Sequence, residues 1–134
     1  MTSPILELQG AIVARLKADA TVSALIGQRI YDAVPATPTF PYVSFGPADE
    51  ISDDVDCVTG FEITMQIDCW SRSSGFPEVK RISDAVRAAL IGTDLTIADN
   101  ALVYFRHNIT RVFRNPDGLT SHAAISFQAF AEQP

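Results

Sequence analysis

Nowhere in the chain do about 18 apolar residues run together, so the sequence offers no helix that would span a bilayer. Cysteine is scarce too, at two in 134 residues. A secreted domain of this size more often carries a larger, paired set, so Cys57 and Cys69 are expected to be free thiols. With no His pair nearby they do not make a zinc site. The only two histidines are His107 and His122, both in strand-like runs. No nucleophile motif accompanies either, and both are expected on the surface or rim of a sheet. G-x-S-x-G, the P-loop and G-x-G-x-x-G are all missing. An enzyme is not expected, and no cofactor or metal is implied. Basic residues are outnumbered, ten against sixteen acids, for a formal net charge of −6. High-affinity binding of DNA or RNA needs clustered Lys and Arg, and this balance argues against it. The opening "MTSPILELQG" has neither a basic start nor an apolar block, so no signal peptide is expected. The protein is read as intracellular where it is made.

Apolar residues, by contrast, are plentiful at 47%, ample for a core. A chain of 134 residues has the length of one domain, 1–134, and such a domain buries roughly two-thirds of its unfolded surface. "SPILELQGAIVARLKAD" places Leu8, Ile12 and Leu16 at helical spacing, with Ile5 one step earlier. Ser3 is a natural N-cap, Pro4 suits the first helical position, and Glu7 lies in the first turn. "DATVSALIG" predicts a short second helix stopped by Gly27. "RIYD" reads as a brief strand. The prolines of "AVPATPTFP" (Pro35, Pro38, Pro41) then impose an extended connection. "YVSFG" resumes a strand with Val43 and Phe45 on one face.

The clearest strand is "FEITMQIDCW", where Phe61, Ile63, Met65, Ile67 and Cys69 alternate with polar residues. "FPEVKRISDAVRAALIG" is the clearest helix, with the stripe Val79, Ile82, Val86 and Leu90, ended by Gly92. Two strand-like runs, "ALVYFRHNITRVFR" and "SHAAISFQAFAE", flank the tight turn "NPDG". Ala123, Ile125, Phe127 and Ala129 share one face of the second. This order predicts an α+β fold: a mostly antiparallel sheet, helices packed on one face and a C-terminal β-hairpin.

The charged residues form two candidate contact sites. Asp49, Glu50, Asp53, Asp54 and Asp56 crowd into "DEISDDVD". Their spacing does not match an EF-hand loop. They read as a solvated, self-repelling loop, or as an acidic edge that discourages wrong strand pairing. Arg106, Arg111 and Arg114 cluster on and after the penultimate strand, with Asp117 in the turn beyond. They suit either a small nucleic-acid patch or an acidic surface on a neighbouring copy, and the net charge favours the second. Trp70 closes the long strand, as a core lid or as an interface anchor.

Three stretches carry a resemblance. "LQGAIVARLKADATVSALIGQRIYDAVPATPTFPYVSFG" resembles the opening of the tail terminator, or tail completion, proteins of long-tailed phages and gene transfer agents. "IDCWSRSSGFPEVKRISDAVRAAL" is similar to that family's strand–Trp–loop–helix segment, and "RVFRNPDGLTSHAAISFQAF" to its ending. Together they cover most of the chain, with "DEISDDVDCVTG" the least similar part. The resemblance implies a non-enzymatic virion protein without cofactors. It implies a homo-oligomeric ring, a hexamer in the particle and a monomer when isolated. Such a ring caps the completed tail tube, ends its polymerisation and joins tail to head. The implied partners are other copies, the tail tube protein and the head–tail connector or stopper protein. DNA would pass through the lumen without specific binding, eased by negative charge, and no membrane is involved. The implied location is the bacterial host cytoplasm during assembly, then the head–tail junction of the virion. Two other readings stay open: another head–tail connector or tail-tube component, and a small-ligand-binding α+β domain.

Overall fold

The chain begins in a helix because Pro4 pre-sets the first turn and Leu8, Ile12 and Leu16 then fall on one buried face. The structure, a computed structural model, describes residues 3–54, 58–92 and 94–133. Helix α1 is Pro4–Ala18 and α2 is Ala20–Ile26. Asp19 ends the first and caps the second, its carboxylate accepting the Val22 N–H at 2.9 Å. Ser3 occupies the N-cap position of α1, but its side chain makes no capping bond. Instead the Ile5 N–H donates to the carboxylate of Glu50 at 3.2 Å, so a distant strand supplies the acceptor.

Strands β1 (Ile30–Tyr31), β2 (Tyr42–Ser52) and β3 (Thr59–Ser71) follow, then α3 (Pro77–Ile91), β4 (Ala101–Arg114) and β5 (Ser121–Gln133). They form one five-stranded sheet in the order β1-β2-β3-β5-β4. Among the described residues only the two-residue β1–β2 contact is parallel. β3 and β5 are the paired centre, with Ile63 opposite Ala129, Met65 opposite Phe127, Ile67 opposite Ile125 and Cys69 opposite Ala123. All eight side chains are fully buried and share one core with the stripes of α1, α2 and α3. Each buried Ile, Leu or Phe contributes roughly 1.5–3 kcal/mol relative to exposure. The other face of β5 stays half-exposed from His122 to Glu132. The fold is therefore α+β, with the helices on one side of a mostly antiparallel sheet.

Two expectations are corrected here. Of the two readings of the acidic stretch, the free loop fails and the strand edge fits: β2 runs on to Ser52, and Asp49 and Glu50 pair with Thr64 and Ile63. Trp70 is not a lid on the core. It follows Cys69 on an alternating strand, so it points to the face away from the helices. A bulge between Phe45 and Ala48 re-aims β2 at Gly46, where a Cβ would come within 2.6 Å of the Asp68 carboxylate. A side chain at 46 would therefore displace the Asp68 and Gln66 side chains, which close over the glycine.

Candidate functional site

The hairpin joining β4 and β5 is rigid because its turn satisfies its own backbone. Gly118, at φ 72°, closes the turn by donating its N–H to Asn115, and Asn115 donates to Thr120. The Asp117 carboxylate accepts the N–H groups of Leu119 and Thr120, each at 2.9 Å, and the Thr120 hydroxyl at 2.7 Å. The Thr120 N–H above all, with its hydroxyl and the Leu119 N–H, holds the Asp117 carboxyl below the usual carboxylate range. Asp117 is thus engaged inside the turn.

The three arginines are exposed but do not share a face. Arg106 lies opposite Gln128 on the face away from the helices, donates to its amide oxygen at 3.0 Å and stacks over Tyr104. Arg111 lies on that same face, opposite Ala124. Arg114 points to the helix side, opposite Ser121, with its guanidinium 4.7 Å above the Phe76 ring. The acids divide in the same way. Asp49 is exposed on the face away from the helices, while Glu50 turns toward α1. Asp53 and Asp54 fold back on Gly60, through a backbone bond and a carboxylate bond respectively. Asp56, like Cys57, lies outside the described residues. Within one copy the two sets are far apart. A single cross-strand row runs Asp49, Thr64, Gln128, Arg106, with Asp49 at one edge of the sheet and Arg106 at the other.

Sequence reasoning missed a polar and aromatic row on that face. Tyr42, Trp70, His122 and Phe113 sit side by side across the four long strands. Trp70 stacks on His122 at 3.9 Å between centroids, and Phe113 meets the other side of the imidazole at 4.6 Å. The Trp70 indole N–H donates to Ser44 at 2.9 Å. His122 Nε2 lies 2.6 Å from the buried Asp68 carboxylate, which also accepts from Gln66. His122 is therefore enclosed in a stack rather than a free rim residue. The readable signal was parity: Asp68, Trp70 and His122 all occupy the polar phase of their strands.

Burial pushes the Cys69 thiol far above its ordinary value, which keeps it protonated and unreactive. Among the described residues no group of three His, Cys, Asp or Glu side chains is placed to hold a metal. No helix there is long and apolar enough to cross a membrane. An open depression of about 470 Å³ between α2 and α3 is lined by Ala24, Leu25, Ala85 and Ala88 together with Asp19, Arg81 and Asp84.

The described residues form a sheet with two open strand edges and a stiff hairpin at its end. The chain matches the family of tail completion protein gp17 over residues 10–132, and it belongs to that family. It is similar to a chain in the virion of a native gene transfer agent particle, at 30% identity and TM-score 0.89, covering 98% of this chain and 99% of that one. It shares its fold with the gp17 protein of bacteriophage SPP1, at 22% identity and TM-score 0.64, covering 92% and 88%. No curated protein matches. The family resemblance read from the sequence is correct, and the role that membership carries is structural, in the tail of a phage-like particle.

Proposed function

We propose that the protein forms a ring on the finished tail tube, ends tube polymerisation and joins the tail to the head connector. The observation that carries this reading is the end-to-end likeness to a chain of a gene transfer agent virion. Six copies, matching the symmetry of the tube, make the ring. Its partners are other copies of this chain, the tube protein and the connector. Assembly takes place in the bacterial cytoplasm, and the finished ring sits at the head–tail junction. Heterologous head-to-tail contacts close a ring only when each subunit carries two different, complementary surfaces. The acids on β2 and the arginines on β4 supply such a pair at opposite edges. The isolated protein is a monomer, because surfaces this polar need the tube end to raise local concentration. The net charge of −6 lets DNA slide past without sticking. Electron microscopy of particles is the test, with the protein located by symmetry-resolved density. A closed ring at the head–tail joint is expected, and a single copy per joint overturns the proposal.

A further inference from the structure

Both edges of the sheet are unfinished. β1 covers only Val43 and Ser44 of β2, so among the described residues Phe45 to Ser52 has a strand partner on one side alone. β4 pairs with β5 alone along its whole length. Edges of this kind present N–H and C=O groups to any strand that reaches them, and proteins that stay single blunt them. Here two bulges interrupt β4, yet both edges keep large apolar side chains in solvent. Ile51 on β2 is 60% exposed, and on β4 Val103 is 55% and Ile109 42% exposed.

We infer that β4 of one copy pairs edge to edge with the 48–52 segment of β2 in the next copy, extending one sheet from subunit to subunit. This rests on the ring reading above and names the surfaces that build it. Charge selects the occupant. From Tyr42 to Asp54 the chain carries acids and no base, and β4 carries arginines and no acid. A β4–β4 pairing would set arginines against arginines, which disfavours it, whereas β4 against β2 sets Arg against Asp. Strand direction agrees. β2 and β5 run one way and β3 and β4 the other, so a ring that repeats one orientation brings β4 antiparallel to the neighbouring β2. Facing agrees as well. Asp49 and Ile51 occupy the same face as Tyr104, Arg106 and Ile109. In level register Asp49 meets Arg106 and Ile51 meets Tyr104, and a two-residue slip keeps every side chain on its face.

The test is disulfide trapping in assembled particles. Ile51→Cys is combined in turn with Tyr104→Cys, Arg106→Cys or Ile109→Cys, in a Cys57→Ser background. The last two change exposed sites, so at least these variants retain the fold. On oxidation, one pair is expected to yield a ladder of covalent multimers on a non-reducing gel, absent from each single-cysteine control. A ring at the joint in the microscope with no ladder from any pair overturns the edge pairing and leaves the ring standing. A single copy per joint overturns both.

Discussion

Ile67 shows how much a single position of this chain decides. It is fully buried, opposite Ile125, in the central strand pair under the helices. Ile67→Asp places an unpaired carboxylate where no donor waits, at a cost of several kcal/mol, comparable to the whole stability of a small domain. The variant is expected to be insoluble or unfolded by circular dichroism, and melting like the parent would show that residue 67 does not face the core. This facing was legible in the sequence, because a strand buried on one face imposes alternation over its whole length. The core-lid reading of Trp70 failed for a related reason. Its bulk argues for the core, while its parity puts it with Asp68 on the other face, and parity prevailed. Parity puts Trp70 and His122 on that face, but not side by side, because β3 and β5 are separated by a helix and another strand and their pairing is tertiary.

At the scale of elements, local patterns named nearly every helix and strand, and tertiary contacts decided where they end and what holds them. "DEISDD" has few strong strand formers, yet pairing with β3 carries the strand through it to Ser52. Glu7, legible only as an acid in a first helical turn, in fact ties α1 to the segment before β4. Its carboxylate accepts the N–H groups of Ala98 at 2.9 Å, Asp99 at 2.7 Å and Asn100 at 3.1 Å, and the Asn100 amide at 2.9 Å. The Asp99 N–H is the main cause that lowers its pKa, with partial burial opposing. A carboxylate with a depressed folded-state pKa stabilises above its unfolded value, and that contribution is lost as pH falls through the folded one. The Glu7 contribution is therefore complete at neutral pH and disappears below about pH 4.5. Glu7→Gln is expected to lower the melting temperature at pH 7, with the gap to the parent closing under acid. Asp117, also depressed, is present in both proteins and cancels from the difference. Melting curves that stay equally separated from pH 7 to about pH 3 would remove Glu7 from the acid response.

At the scale of the whole molecule, strand order does what the sequence could not announce. Threading β5 between β3 and β4 leaves the arginine-bearing strand at one edge and the acidic end of β2 toward the other, so the β4 arginines and the β2 acids lie on opposite sides of the sheet. The hairpin tip tests what that layout is for. Arg111 lies on the face away from the helices, and Arg114 covers Phe76 on the helix side, so the tip offers a cation to each side. Reversing both to Glu keeps the fold. Arg111 is exposed, and the loss of the Arg114 stack on Phe76 costs roughly 0.5–1 kcal/mol. The double variant is nevertheless expected to give tails of uncontrolled length, or finished tails without heads, in electron micrographs of particles made in a deletion strain. Its melting curve, measured on the purified protein, separates an assembly defect from a folding defect. The two single variants then assign the defect to one face. Failure with Arg111→Glu alone places the contact on the face that also bears Arg106, and failure with Arg114→Glu alone places it beside α3. Full complementation by the double variant would exclude the tip from every contact the joint requires.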